Sequence, residues 1–128
     1  MVKKYYINVV EGSLIHREYL EKFKKRVLKN FGGRWGRLFK FEATLGQIKE
    51  IQEIMTKHYE DSSVPWYLDG YEMNNLNKVI CAFGRDDGEG GNLFLFDRED
   101  ATAYQNIKDY GVSKGIPLKQ MDFLKVKY

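Results

Sequence analysis

The first run with a clear pattern is Lys4–Val10, Lys-Tyr-Tyr-Ile-Asn-Val-Val. Aromatic and β-branched residues dominate it, and Tyr5, Ile7 and Val9 fall on one face of an extended chain, which predicts a strand. A longer period follows. Ser13 suits an N-cap, and Tyr19, Leu20, Phe23, Val27 and Phe31 recur at spacings of three and four. That stripe predicts an amphipathic helix over residues 13–31, closed by Gly32-Gly33.

Alternation returns at residues 38–43, which predicts a second strand. Thr44 and Gln47 then have the spacing of a capping box. The helix they open carries Ile48, Ile51, Met55 and either His58 or Tyr59 inward and ends near Glu60. Residues 61–77 show no clean period; they conceal a short strand or turn, or they form a functional loop. The continuous apolar run at 79–83 predicts a strand buried on both faces. Residues 84–91 turn the chain through Asp87-Gly88, and 93–96 return as the partner strand. Asp97 or Asp100 caps a third helix carrying Ala103, Tyr104 and Ile107, which stops at Gly111 or Gly115. Residues 123–128 alternate and predict a last strand with Leu124, Val126 and Tyr128 inward.

The predicted order is βαβαββαβ. Its last six elements match the ferredoxin-like βαββαβ plan. The expectation is a single α+β domain over 1–128: a sandwich with an N-terminal βα extension and its helices on one face of the sheet.

Composition agrees with a packed core. Of 128 residues, 43% are hydrophobic and 15% aromatic, which excludes a wholly disordered chain. A single cysteine, Cys81, excludes an intramolecular disulfide framework and a zinc site of several thiolates, and it fits a reducing interior. No secretory signal pattern and no apolar run of about 20 residues is present, so a soluble, cytoplasmic protein with no membrane partner is expected.

Charge changes the picture more. Residues 1–40 hold eleven Lys/Arg against three acids, whereas 41–110 hold six bases against fourteen acids. Such a split marks a face for an anionic partner, or two segments that meet each other within the fold or across a dimer.

Three clusters carry candidate chemistry. The first is the basic run of Lys22, Lys25 and Lys29, followed by Arg34, Trp35 and Arg37 in a glycine-rich turn. Ammonium and guanidinium groups with an indole between them suit phosphates and unstacked bases; the plainer reading is a solvated helix face and a core tryptophan. The second is the acidic segment of Asp86, Asp87 and Glu89. It has carboxylates for a hard cation but neither EF-hand spacing nor a P-loop, so a solvated hairpin tip or a contact for a basic partner is the better reading. The third is the aromatic stretch with Trp66, Tyr67 and Tyr71, which caps the core or anchors a partner. His16, His58 and Cys81 form no catalytic pairing by spacing. No catalytic residue, metal site or cofactor is expected. The resulting expectation is a small non-enzymatic binding module contacting RNA or DNA through the basic run. The alternative is a protein-interaction or regulatory module, such as a homodimer, that pairs its basic and acidic surfaces and uses the aromatic loop.

Overall fold

In the computed structural model of the chain, the described residues are 3–33, 35–55, 64–85, 87–118 and 121. Six strands and two helices follow in order: β1 (Lys4–Val10), β2 (Lys25–Gly32), β3 (Gly36–Thr44), α1 (Leu45–Ile54), β4 (Tyr67–Glu72), β5 (Asn75–Phe83), β6 (Leu93–Asp97) and α2 (Ala101–Ser113). The strands form one sheet in the order β2-β3-β1-β4-β5-β6, and every neighbouring pair is antiparallel. The fold class is therefore α+β.

β3 and β4 flank β1 and both run against it. They are parallel to each other, so β3, α1 and β4 make a crossover split by β1. The six strands exceed the four of a βαββαβ plan, and the ferredoxin-like topology is not confirmed.

The long first helix is not formed. Residues Arg17–Lys22 make a short 3-10 turn, and Lys25–Gly32 are a strand. Leu20 and Phe23 do reach the core, because residues three apart lie on one side of a 3-10 turn. Val27 and Phe31 stay 48% and 42% exposed on an edge strand. The decisive residues are Gly32, Gly33 and Gly36, whose φ angles of 73°, 56° and 67° reverse the chain into a hairpin. A helix would forgo the β2–β3 ladder that this reversal makes available.

The capping box is formed: Gln47 N–H donates to Thr44 Oγ1 at 3.2 Å, and Thr44 N–H donates to Gln47 Oε1 at 2.9 Å. Asp100 caps α2 by accepting from the Ala103 amide at 3.0 Å. The stretch 61–77 contains β4 and the start of β5. At its centre, a Cβ on Gly70 would lie 2.0 Å from the Tyr6 carbonyl oxygen, so only glycine permits the β1–β4 approach. The expected continuation of the second helix over 56–60 and the strand at 123–128 lie outside the described residues.

The helices lie on opposite faces of the sheet, not on one. Ile48 and Ile51 of α1 share a core with Tyr5, Ile7, Val9, Phe39, Phe41, Leu68, Ile80 and Ala82. Ile107 of α2 shares another with Val79, Cys81, Phe83 and Phe96. Residues 79–83 thus divide between the two cores, as strand alternation requires. The continuous apolar run of β5 is explained by burial on both sides. Among the described residues no helix is long and apolar enough to cross a membrane.

Candidate nucleic-acid interface

β2 is one edge of the sheet and carries Lys25, Arg26 and Lys29. Around its first residues, the end of β3 and the start of β1, an open cleft of about 920 Å³ is lined by Lys4, Lys22, Lys24, Lys25, Arg26 and Lys40. One acid, Glu42, joins these six bases, together with Tyr6, Phe23, Phe41, Thr44, Gln47 and Tyr71. Lys4, Lys24 and Arg26 have no ion-pair partner among the described residues.

The aromatic part of this cleft is built by strand register. Tyr6 on β1 faces Tyr71 on β4, with ring centroids 5.5 Å apart. Lys40 on β3 lies over both rings, 5.0 Å from Tyr6 and 5.5 Å from Tyr71, and its ammonium donates to the Tyr71 hydroxyl at 3.2 Å.

The residues expected from sequence are distributed unevenly. Lys22 and Lys25 line the cleft. Lys22 covers the Tyr19 ring at 4.0 Å, and Lys25 donates to the Leu20 carbonyl at 3.2 Å. Lys29 lies farther along β2, 5.0 Å above Phe31. Arg34 lies outside the described residues. Trp35 is half-buried, edge-on to Trp66 at 4.8 Å and to Phe31 at 5.5 Å, so its ring is occupied by packing. Arg37 is ion-paired: its Nε donates to Glu11 at 2.9 Å, and Glu11 also accepts the Arg37 amide at 2.6 Å. The hydrogen bond from Arg37 is the main reason the Glu11 carboxyl sits below its usual range, outweighing burial.

The aromatic stretch is mostly internal. Trp66 is 7% exposed in the first core, Tyr67 packs on Phe83 in the second, and Tyr71 joins the cleft. The cleft residues that sequence reasoning passed over are Lys4, Tyr6, Lys24, Arg26 and Lys40. Tyr6 and Lys40 were accessible by parity, since they alternate with the inward residues of their strands.

The acidic segment is a fastened loop. Asp87 is 3% exposed and accepts from the amides of Glu89 at 2.8 Å, Gly91 at 3.0 Å and Asn92 at 3.0 Å, and from the Tyr110 hydroxyl. Burial pushes its carboxyl up, but those four donors prevail and hold it below the ordinary value. Glu89 is exposed and bonded to Lys114 at 2.6 Å; Asp86 lies outside the described residues. Gln52 of α1 ties the loop to the other helix by donating to the carbonyls of Phe83 at 2.8 Å and Asn92 at 3.2 Å. Among the described residues no group of three or more His, Cys, Asp or Glu is placed to hold a metal ion. Cys81 is fully buried, and burial followed by the charge of Asp69 pushes its thiol up, away from the reactive thiolate.

Acids gather at the other end of the sheet, where Asp97 is ion-paired to Lys78 at 2.9 Å. β6 is the opposite edge of the sheet from β2, and beside it Asp97, Glu99 and Asp100 line a small depression with Asn77. Protein-family models, curated proteins and solved structures contain no match to this chain.

Proposed function

We propose that this protein is a non-enzymatic module that binds single-stranded nucleic acid, RNA or DNA, in the basic cleft at the β2 edge. The observation that carries this reading is the gathering of six bases against one acid beside the Tyr6–Tyr71 pair. Phosphates need cations that are not already neutralised, and unstacked bases need accessible aromatic faces. Asp97, Glu99 and Asp100 lie at the far edge, and Glu42 is the one acid in the lining of the cleft. In this reading Lys22, Lys24, Lys25 and Arg26 take the backbone, and Tyr6 offers a stacking surface. Trp35 and Arg37 belong to the framework.

Fluorescence anisotropy with labelled single-stranded RNA, single-stranded DNA and duplex DNA, at about 50 and 200 mM salt, tests it. Micromolar or tighter binding to a single strand, falling steeply with salt, is the expected result. Absence of binding at the lower salt removes the reading.

A second reading follows from the charges at the two ends of the sheet. Lys25, Arg26 and Lys29 on β2 complement Asp97, Glu99 and Asp100 beside β6, the two edge strands among the described residues, as self-association of two copies requires. Sedimentation at low and high salt decides it: a monomer under both conditions excludes the homodimer.

A further inference from the structure

Strand register fixes where the one acid of the cleft stands. Glu42 on β3 is the cross-strand partner of Tyr6 on β1 and lies two residues from Lys40 and from Thr44. Residues two apart on a strand, and direct cross-strand partners, share a face. Lys40, Glu42 and Thr44 therefore share one face with Tyr6 and with Lys4, the partner of Thr44. Arg26 of β2, the partner of Lys40, joins the same face. All six residues line the cleft.

Glu42 is exposed. Among the described residues its carboxylate makes no ion pair and accepts no hydrogen bond. Other acids beside bases in this chain are engaged: Glu11 holds Arg37 at 2.9 Å, and Glu89 holds Lys114 at 2.6 Å. An acid that fastened the bases of the cleft would be engaged in the same way. An acid set among phosphates would oppose the binding its neighbours favour. The position suits a ligand group that carries hydrogen-bond donors and no negative charge.

We infer that Glu42 reads the Watson–Crick edge of a guanine in the single strand held by the cleft, an inference that rests on the nucleic-acid reading above. An unpaired strand exposes this edge, which a duplex hides. An ionised carboxylate offers two acceptors and no donor. Guanine answers it with two adjacent donors, N1–H and the N2 amino group. Adenine and cytosine each set one amino donor beside a ring nitrogen that accepts. Uracil sets one N–H between two carbonyls. With those three bases a carboxylate oxygen meets a lone pair. The surrounding lysines and Arg26 hold phosphates, which carry no sequence information, so the base preference of the cleft falls to Glu42.

The experiment is anisotropy with labelled uracil strands that carry one central guanine, adenine, cytosine or inosine, on wild type and Glu42→Gln. Inosine keeps N1–H and lacks the N2 amino group. For wild type, a roughly tenfold preference for the guanine strand is expected, with inosine between guanine and the other two. Glu42→Gln removes a negative charge, so it should bind every strand at least as tightly and lose the preference. Equal affinity of wild type for the four strands, inosine equal to guanine, or a guanine preference that survives in Glu42→Gln overturns the inference and leaves nucleic-acid binding standing. Failure of wild type to bind any strand at low salt overturns both. The wild-type panel, with inosine as its internal control, decides the matter even if Glu42→Gln does not fold.

Discussion

The Tyr110 hydroxyl donates to Asp87 Oδ2 at 2.5 Å, binding α2 to the loop between β5 and β6. The same hydroxyl accepts from the Asn92 side-chain amide at 2.8 Å. One phenol thus locks a loop in which Gly88, Gly90 and Gly91 have φ angles of 93°, 84° and 92°.

That lock is visible in the pH dependence of stability. The folded-state carboxyl of Asp87 lies below its unfolded value, so its contribution is complete above about pH 4 and is lost as pH falls through the folded value. Asp87→Asn is expected to lose about 2 kcal/mol at neutral pH. In urea titrations its deficit relative to wild type should shrink steadily below about pH 4; a constant deficit would exclude the charged bond as its source.

At the alkaline end the sign reverses. Burial, and then the hydrogen bond to Glu50, raise the Tyr19 phenol to about 12. Burial, and then its bond to Asp87, raise Tyr110 as well. Stability drawn from these neutral phenols is complete below about pH 10 and is lost above it as each folded-state value is passed. Burial, and then the charge of Glu72, raise Tyr5 too, so spectrophotometric tyrosine titration should show Tyr5, Tyr19 and Tyr110 among the late-ionising phenols, and Tyr19→Phe should remove one of them.

Gly70 has no tolerance for a side chain. Its Cβ would meet the Tyr6 carbonyl and, at 2.8 Å, Ile7 Cα, both backbone atoms of the adjacent strand. Gly70→Ala is expected to cost more than about 3 kcal/mol or to prevent folding. Gly90→Ala, with nothing within 4 Å but a φ of 84°, is the milder control. Thermal unfolding followed by circular dichroism ranks the two.

The cleft and the turn after β2 give opposite expectations for binding. Lys24→Ala and Arg26→Ala should each weaken single-strand binding and lower the slope of log K against log salt by about 0.7. Arg37→Ala should leave that slope unchanged, because Arg37 serves Glu11. A slope that responds to Arg37 and ignores Arg26 would move the interface to the turn.

Where one periodicity and one local signal agreed, the fold was legible. Tyr5, Ile7 and Val9 define β1, Thr44 and Gln47 open α1, and Asp100 opens α2. The stripe from Tyr19 to Phe31 misled because spacings of three and four also suit a 3-10 turn followed by an edge strand. The glycines after it can end a helix or turn a hairpin, and pairing with β3 decided between them. β4 escaped because its middle is Asp69-Gly70, a sequence of low strand propensity; its place is set by the close approach to β1. The basic character of the site was readable in the charge split, but its membership depended on which strands became neighbours. Lys4, Lys24 and Lys40 come together only through the β2-β3-β1 order.

The position of β1 has a consequence for how the molecule assembles. Of the six strands, the first to be synthesised is an interior one, and its two partners end at Thr44 and Glu72. Until those segments are synthesised, Ile7 and Val9, both buried in the finished protein, have no sheet to enter. The β2–β3 hairpin can close locally, whereas β1 must wait for β4 to complete its second side. Loop closure over that span makes completion of the sheet a late, non-local event. Among the six strands, β1 therefore has most to gain from protection during synthesis.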